Sequence, residues 1–326
     1  MRSSLPPALA SVLDVLRCPN CAQRLEAVDR SLRCPAGHSF DVARQGYVSL
    51  LSGKRPTSGD DADMVRARDR FLATGIYAPI REALCGLSGS VAVARHGEES
   101  PDEAPAAQNS AMAPATASAD PLTEVPTAGS AATASATIVD VGCGTGYYLA
   151  GVLDAVPGSR GLGLDSSTRA LRLAARVHER AAAVTVDVFR TLPVADEAAD
   201  VVLDVFAPRN PEEFHRILRP AGRLIVVRPA ENHLGELRNR VPGMVGIDPT
   251  KEQRLQRALD PFFEVVSEQP IEYSRELTAG DALDLIGMTP SARHLGGDWR
   301  SEGGRPDVSG PVTVSVIASA YRPRRR

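Results

Sequence analysis

The stretch "TIVDVGCGTGYY", residues 137–148, decides the fold of this chain. Its β-branched start predicts a buried strand, and the glycines Gly142, Gly144 and Gly146 predict a tight turn that opens a helix. A dinucleotide-binding turn has the spacing G-x-G-x-x-G and holds a pyrophosphate at the helix N-terminus. Asp140 stands just before this turn, where it would repel a pyrophosphate and attract an ammonium group. The pattern therefore favours a ligand that contains a zwitterionic amino acid.

Two more aspartates follow the turn. Asp165 ends the run "GLGLD" about twenty residues further on, where a carboxylate accepts the hydroxyls of a ribose. Asp187 is interpreted as the end of the next strand, within reach of the exocyclic amine of an adenine. An amino acid, a ribose and an adenine together form S-adenosylmethionine (AdoMet), so the sequence predicts a class I AdoMet site. The alternative is a Rossmann-like domain that has lost its ligand.

The chain around the glycine turn alternates between strand and helix patterns. Further strands are predicted in "GLGLDSS", "AVTVDV", "ADVVLDVFAP" and "RLIVVRP" and at 262–268 and 312–320. Helices are predicted in "YYLAGVLDAV", "TRALRLAARVHERA" and "PEEFHRILRPAG" and at 279–287. Such alternation forms βαβ units. The expected fold is α/β, with the Rossmann-like, mostly parallel sheet of class I AdoMet-dependent methyltransferases.

A second motif lies near the N-terminus, in the spacing Cys18-x2-Cys21-x12-Cys34-x3-His38. Two ligand pairs on tight turns converge on one tetrahedral Zn²⁺ through thiolates and an imidazole. Four protein ligands close the coordination sphere, so the predicted zinc is structural, with one ion per chain. In so short a segment, metal binding supplies folding free energy. The alternative is a set of thiols with a redox or packing role.

Composition bounds the class of protein. The chain has 326 residues, of which 43% are apolar and only 4% aromatic, so the core is expected to be aliphatic. No apolar run of about eighteen residues predicts a membrane-spanning helix, and the N-terminus has no apolar segment typical of a signal peptide. The five cysteines, an odd number, argue against a disulfide framework. We therefore expect a cytoplasmic protein without a membrane partner.

Residues 97–136 differ from the rest in composition. They hold six acidic residues and no lysine or arginine, in a background of Ala, Ser, Thr and Pro. We predict a disordered low-complexity insertion there. The chain has a formal net charge of −3, so the remainder, without those six acidic residues, is mildly basic at +3. The predicted organisation is a zinc-binding ribbon (1–50), a helical connector that contributes to the AdoMet site (51–96), the insertion (97–136) and the AdoMet-binding domain (137–326).

The order of these motifs resembles that of the RlmA family of bacterial 23S rRNA (guanine-N1)-methyltransferases. The resemblance rests on "CPNC", "CPAGHSFDVARQGYVSLL", "GDDADMVRARDRFLATGIYAPIREAL", "DVGCGTGYY", "FAP" (206–208), "NHLGEL" (232–237) and "MTP" (288–290). It is similar in particular to the family's tylosin-resistance members. This implies an enzyme that methylates N1 of a guanine in hairpin 35 of 23S rRNA, guanine 748, and confers resistance to tylosin-type macrolides.

The resemblance also assigns site residues. It implies that zinc is held by Cys18, Cys21, Cys34 and His38, and that AdoMet is contacted by Tyr77, Gly144, Thr145 and His233. Without it, Tyr77 would be interpreted as a core aromatic and His233 as a loop histidine with satisfied hydrogen bonds. The implied partner is 23S rRNA, not DNA, and a homodimer through paired ribbons remains open.

Guanine N1 sets requirements for the acceptor pocket, because it bears a proton on the Watson–Crick edge and the base has to be unpaired before it reacts. The N1 proton passes either to a nearby carboxylate or to water once N1 becomes more acidic. Asp204, at the end of a predicted strand, is the candidate carboxylate, although an inward-facing strand aspartate is equally well structural. The turn "FAP" is expected to shape the pocket, with Phe206 stacking on the base. The loop 288–299, with Arg293 and Trp299, is expected to cover it.

Arginines in the ribbon suggest a second role for that segment. We hypothesise that it reads RNA shape and phosphates through Arg17, Arg24, Arg30 and Arg33. Two rival interpretations remain. One is a small-molecule methyltransferase whose ribbon mediates dimerisation; the other is a zinc-bearing RNA-binding protein with a vestigial AdoMet fold. The intact glycine turn and Asp165 argue against the second.

Overall fold

The computed structural model describes residues 5–51, 59–97, 135–246, 250–293, 295 and 308–325. Apart from its first residue and last two, the predicted insertion 97–136 lies outside the described residues. The N-terminal part begins with a short helix, α1 (Pro7–Ser11). It continues as a small antiparallel sheet of β1 (Glu26–Val28), β2 (Ser31–Arg33) and β3 (Ser39–Asp41). This sheet is the ribbon predicted from the cysteine spacing.

A second, larger sheet organises the remaining described strands. They are β4 (Val48–Ser49), β5 (Thr137–Val141), β6 (Arg160–Asp165), β7 (Ala181–Thr185), β8 (Ala199–Val205), β9 (Leu218–Pro229), β10 (Phe263–Leu277) and β11 (Gly310–Pro323). Their order across the sheet is β10-β11-β9-β8-β5-β6-β7-β4. The ladders from β4 to β9 are parallel, whereas β11 runs antiparallel to both β9 and β10. The predicted Rossmann-like, mostly parallel sheet is confirmed.

The central strands are buried on both faces. Every residue of β5, β7 and β8 is buried, as expected of parallel strands covered by helices on each side. Strand order reverses beside β5, which pairs with β6 on one side and β8 on the other. Ligands of open α/β sheets bind in the crevice beyond the carboxyl ends of the strands at such a reversal. The crevice here lies beyond Val141 and Val205.

Helices supply the rest of the described fold: α2 (Ala62–Ala73), α3 (Ala78–Gly97), α4 (Tyr147–Ala155), α5 (Thr168–Ala174), α6 (Pro211–Ile217), α7 (Gly235–Arg240), α8 (Thr250–Leu259) and α9 (Ala279–Gly287). The predicted helix at 279–287 is confirmed, and the strands predicted at 262–268 and 312–320 extend further as β10 and β11. None of the helices in the described part of the chain has both the length and the apolar character needed to cross a membrane.

The ribbon shares a core with one face of the large sheet. Leu25 and Leu32 of the ribbon belong to the same apolar cluster as Val184 of β7 and Val194. The chain leaves the ribbon by pairing β4 with β7 at the sheet edge. The prediction that metal supplies the ribbon's folding free energy therefore needs a correction, because burial against the sheet contributes as well.

Candidate active site and metal centre

The glycine turn requires glycine for two separate reasons. Gly142, Gly144 and Gly146 have φ values of 77°, 55° and 85°, in the region that favours glycine. A Cβ on Gly142 would also lie 2.5 Å from the Cβ of Ala207. A Cβ on Gly144 would lie 3.3 Å from the Cδ of Arg68. The turn is thus bare where a ligand approaches and tight where the neighbouring loop packs.

Asp165 is fixed beside this turn. Its Oδ2 accepts a hydrogen bond from Gly144 N at 2.8 Å, and its Oδ1 accepts one from Ser167 N at 2.7 Å. It lines a cavity of about 130 Å³, here called the nucleoside cavity, together with Gly144 and Asp187. A carboxylate has about four lone-pair sites, so two remain for hydroxyl donors. This geometry fits the predicted ribose.

Asp187 lies two residues beyond the end of β7, so its predicted place at the end of that strand is corrected. The strand ends at Thr185, and the carboxylate belongs to the following loop. Its Oδ1 accepts from Phe189 N at 3.1 Å, and its Oδ2 lies 3.5 Å from Arg190 Nε. It still lines the nucleoside cavity, as an adenine contact requires.

Asp140 is buried, with 1% of its surface exposed. Burial first, and then the carboxylates of Asp165 and Asp204, raise the pKa of Asp140 to about 8, so the group holds a proton at neutral pH. Its Oδ2 has no hydrogen-bond partner among the described residues. An unpaired buried oxygen beside a bare glycine turn fits a ligand that brings a donor. The direct contact with an ammonium group stays a prediction.

Arg68, on α2, was not predicted as a site residue. Its Nε and Nη2 donate to Oδ2 of Asp60 at 3.0 and 2.8 Å, and Nη2 also donates to the carbonyl of Met288 at 2.8 Å. It lines the nucleoside cavity and a second cavity of about 30 Å³ at the start of α4, here called the amino-acid cavity. Tyr77 and Thr145 line the amino-acid cavity as well.

A third cavity of about 580 Å³, here called the acceptor cavity, adjoins the other two. Arg68 and Phe206 line all three. The acceptor cavity also has walls from the ends of β8 and β9, from α7 and α8, and from residues 288–291. Its volume lies in the range of small-molecule sites. The acceptor cavity also shares Ala207 with the nucleoside cavity, and Tyr77 and Met288 with the amino-acid cavity, so the three cavities are contiguous.

Tyr77 and His233 are paired in the wall of the acceptor cavity. The hydroxyl of Tyr77 lies 3.4 Å from Nε2 of His233, and Ser315 N donates to Nδ1 at 3.3 Å. Burial, and then the charge of Arg238, lower the pKa of His233 to about 4, so its ring is neutral near pH 7. A neutral ring that accepts at Nδ1 carries its proton on Nε2 and donates it to Tyr77. Tyr77 and Thr145 reach the amino-acid cavity, whereas His233 lines the acceptor cavity.

Phe206 lies at the mouth of the crevice. It has a φ of 55°, an uncommon value for a bulky residue, and 38% of its surface is exposed. Its ring lies over that of His233, with centroids 6.0 Å apart and an interplanar angle of 26°. Backbone strain is typical of functional sites. The expected role of the "FAP" turn in shaping the pocket fits this geometry.

Asp204 does not lie where the predicted proton acceptor would be needed. Its surface is 0% exposed, and it is absent from the walls of all three described cavities. Nε of Arg209 lies 3.0 Å from its Oδ1, and Arg209 does line the acceptor cavity. The placement of Asp204 at the acceptor is therefore corrected: the strand directs its carboxylate inward, and the arginine stands between it and the cavity.

The loop expected to cover the acceptor is described in part. Residues 288–291 line the acceptor cavity, and Nη2 of Arg293 donates to the carbonyl of Gly59 at 2.7 Å. That bond ties the loop to the segment before α2. Trp299 lies outside the described residues.

The metal centre brings the four predicted ligands together. One ligand atom from each of Cys18, Cys21, Cys34 and His38 lies within 4.8 Å of the others. His38 Nδ1 lies 3.6 Å from Cys18 Sγ and 3.3 Å from Cys34 Sγ, and the sulfurs of Cys21 and Cys34 are 3.6 Å apart. Zn–S bonds of about 2.3 Å in a tetrahedron place sulfurs just under 4 Å apart. The donor set and its dimensions therefore fit one Zn²⁺.

Comparisons with known proteins match both parts of the chain. A family model for the RlmA N-terminal zinc ribbon matches residues 16–57, and a methyltransferase-domain model matches residues 138–225. A Micromonospora griseorubida protein named for 23S rRNA guanine-N1 methylation is 42% identical over 96% of this chain and 98% of its own. The Streptomyces fradiae 23S rRNA (guanine(748)-N(1))-methyltransferase is 39% identical over the same shares. This chain belongs to the RlmA family.

As an RlmA-family methyltransferase, the protein uses AdoMet and a zinc ribbon. The sequence did not predict that Arg68 and Arg209 line these cavities. It did predict Asp204 as a candidate, but not that its carboxylate is buried. Arg68 did give a signal, since it is a cation among the apolar positions Met64, Val65, Phe71 and Leu72 of one helix face. Arg209 gave no such signal in the sequence, because its pairing with Asp204 is identified only in the folded structure.

Proposed function

We propose that this chain transfers the methyl group of AdoMet to N1 of a guanine in 23S rRNA. We further propose that the target is guanine 748 in hairpin 35, and that the methyl group protects cytoplasmic ribosomes from tylosin-type macrolides. The S. fradiae relative is named for that guanine and is similar over nearly the whole chain. The narrower target also follows from the family resemblance in the sequence.

The observation that carries the proposal is the meeting of three cavities at Arg68 and Phe206. The nucleoside cavity has Asp165 and Asp187 in its wall, as an adenosine requires. The acceptor cavity is large enough for a nucleobase. AdoMet supplies a methyl group on a positively charged sulfur, already activated for displacement. The protein's task is then mainly positioning.

Arg68 is the proposed partner of the methionine carboxylate. It lines the amino-acid cavity, where the N-terminus of the nine-residue helix α4 adds a second positive pole. The bonds from Arg68 to Asp60 and to the Met288 carbonyl fix the guanidinium over the glycine turn. A charged pair of this kind orients the cofactor's amino-acid end beside the acceptor cavity.

The acceptor is proposed to enter as an unpaired base. Guanine N1 lies on the Watson–Crick edge, so a paired base cannot present it. Phe206 offers an exposed ring on which a splayed base can stack. In the ribbon, Arg24 and Arg33 are exposed, whereas the guanidinium groups of Arg17 and Arg30 donate to backbone carbonyls. The exposed pair is the proposed contact with RNA phosphates.

The test is transfer of tritiated methyl groups to unmodified 23S rRNA and, in parallel, to a metabolite extract. Label in rRNA together with a reverse-transcriptase stop at guanine 748 is expected, because an N1-methyl group blocks base pairing. A transcript with adenine at that position serves as the control and should remain unlabelled there. Label confined to metabolites would instead support the small-molecule methyltransferase.

Resistance is tested separately. Expression in a tylosin-sensitive bacterium that lacks this methylation should raise the inhibitory concentration of tylosin, and the Gly142→Ala variant should not. Methylated rRNA without a change in inhibitory concentration would contradict the resistance proposal and leave the methylation proposal standing.

A further inference from the structure

We infer that Arg209, held by the buried carboxylate of Asp204, binds O6 of the target guanine and stabilises the base after N1 has lost its proton. The inference rests on the proposed function and adds the residue that distinguishes guanine from adenine. Its basis is the segment "DVFAPR", residues 204–209, at the carboxyl end of β8.

The ion pair is built to hold the arginine in place. Asp204 is 0% exposed on a fully buried strand, and Arg209 Nε lies 3.0 Å from its Oδ1. Burying a carboxylate costs several kcal/mol unless a cation compensates it, so the partner's position is constrained. Arg209 keeps 17% of its side chain exposed and lines the acceptor cavity. The strand thus fixes a guanidinium at the cavity wall.

The charges around the acceptor cavity favour an anion inside it. Its described wall contains four arginines and no carboxylate: Arg68, Arg209, Arg238 and Arg254. The carboxylates of Asp60 and Asp204, which pair with Arg68 and Arg209, lie outside that wall. His233 is neutral near pH 7 because burial lowers its pKa, and burial raises the pKa of the Tyr77 hydroxyl, which keeps its proton. Nearby cations stabilise the deprotonated form of a weak acid. For a guanine that has lost its N1 proton, these arginines therefore offset the burial that raises the pKa of Tyr77 in the same wall.

The chemistry of guanine connects this field to one contact. Loss of the N1 proton spreads negative charge over N1 and O6, and arginine is the commonest specific partner of guanine O6. In the reaction the N1 proton passes to water and the N1 electron pair forms the bond to the methyl carbon. The carbon–sulfur bond breaks with its electrons on sulfur, which leaves S-adenosylhomocysteine (AdoHcy). Adenine presents an amino group in place of O6, which would face the guanidinium donor to donor.

The test is a single-turnover pH profile with tritiated AdoMet and an unmodified 23S rRNA transcript. Arg209→Gln is expected to move the rising limb at least one pH unit upward, which is about tenfold slower transfer per unit at neutral pH and convergence with the unaltered enzyme at alkaline pH. Arg209→Lys, which keeps the charge, should move the limb less. Asp204→Asn should fall between them, because it loosens the arginine without removing it.

Arg219→Gln is the matched control. Nε of Arg219 lies 3.4 Å from Oδ1 of Asp200, another buried aspartate on β8, and neither residue lines the three described cavities. Its pH limb should stay in place. The affinities of Arg209→Gln, Arg209→Lys and Arg219→Gln for AdoHcy, measured by calorimetry, should match that of the unaltered enzyme and show that the fold is retained.

The outcomes separate this inference from the proposed function. Transfer by Arg209→Gln that is reduced by the same factor at every pH would overturn the inference alone. Loss of transfer at every pH in Asp204→Asn, with an unmoved limb in Arg209→Gln, would overturn it in favour of Asp204 as the base. An unaltered enzyme that transfers no methyl group to RNA would overturn the proposed function and the inference together.

Discussion

The zinc ribbon and the acceptor cavity are built in opposite ways. The ribbon's four ligands lie within the twenty-one residues from Cys18 to His38. The residues that line the acceptor cavity are spread along the chain from Arg68 to Ser291. A metal site can be encoded in one short segment because the ion itself gathers the ligands. A cavity exists only after the sheet has brought distant loops to one edge.

The two regions also occupy different parts of the chain. The residues that line the three described cavities all lie between Asp60 and Ser291, outside the ribbon. The ribbon instead packs on the sheet through Leu25 and Leu32. Substitutions in the ribbon should therefore affect stability and RNA binding. Substitutions in the cavities should affect binding of the cofactor and of the methyl acceptor.

The largest effect is expected from removal of a zinc ligand. Cys34→Ala should abolish zinc binding and lower the free energy of unfolding by roughly 5 kcal/mol or more, because metal binding is part of folding. Affinity for AdoHcy in the folded fraction should stay within about threefold, since distant sites act nearly independently. Metal analysis, urea denaturation and calorimetry measure these quantities.

Cys85→Ala is the control for that prediction, because Cys85 is a thiol outside the cluster whose Sγ donates to the Gly151 carbonyl. It should retain one zinc per chain. A folded Cys34→Ala protein that fails to bind AdoHcy would show that the ribbon and the cofactor site are one unit.

A smaller but still large effect is expected at the glycine turn. Gly142→Ala adds a Cβ at a φ of 77° and 2.5 Å from Ala207 Cβ, so the turn has to shift. Strain of about 2–3 kcal/mol corresponds to roughly 100-fold weaker AdoHcy binding. Gly86→Ala, at a helical site with nothing within 4 Å of the added Cβ, should bind AdoHcy normally. Normal binding by Gly142→Ala would move the cofactor away from this turn.

Arg68→Gln tests the proposed carboxylate contact. Affinity for AdoHcy should fall by about 30-fold, because a charge-assisted contact of about 2 kcal/mol is lost. Affinity for 5′-methylthioadenosine, which has no carboxylate, should not change. Arg66→Gln removes an exposed arginine from the same helix and should affect neither ligand. Equal weakening of both ligands would mean that Arg68 supports the site without binding the carboxylate.

Asp140 gives a pH-dependent prediction. Its pKa of about 8 means that the free protein holds the proton at pH 7. An ammonium group beside it would lower that pKa, so AdoHcy binding should release close to one proton. The affinity for AdoHcy should then rise by up to about tenfold for each pH unit as the pH increases towards 8. Calorimetry in two buffers of different ionisation enthalpy counts the protons.

AdoHcy binding to the Asp140→Asn variant should release no proton, and its affinity should not change with pH below pH 8. In the unaltered protein, the free energy of unfolding depends on pH with the opposite sign to AdoHcy affinity. Because the pKa of Asp140 is raised in the folded state, the protein becomes less stable as the pH rises from about 4 towards 8. A binding reaction without proton release in the unaltered protein would exclude the ammonium contact.

The smallest effect is expected at the ribbon surface. The double change Arg24→Gln and Arg33→Gln should weaken binding of 23S rRNA by roughly fivefold and reduce the salt slope by about one to two, if each arginine meets a phosphate. AdoHcy binding should not change. Arg275→Gln, on the edge strand β10 at the opposite side of the sheet from β4, is the control. An unchanged salt slope would remove the ribbon from the RNA interface.

Much of the cofactor region was predictable because its signals are local. The glycine turn, Asp165 and the alternation of strands with helices need only neighbouring residues, and all three reappear in the structure. Asp187 was assigned to the end of β7 although it lies in the following loop. The reason is that burial continues through Val186 after the β7 ladder has ended at Thr185. Asp204 was placed near the acceptor because its strand ends there, but alternation along the strand turns it inward.

The sequence by itself determined the metal ligands, the bare turn and the order of strands and helices, since each depends on the chemistry or periodicity of adjacent residues. Only the tertiary structure decided that Arg68 and Phe206 join three cavities, that Arg209 stands between Asp204 and the acceptor, and that the ribbon shares the sheet's core. Those relations link residues far apart in the chain. They arise when buried parallel strands align their carboxyl ends, which no local pattern records.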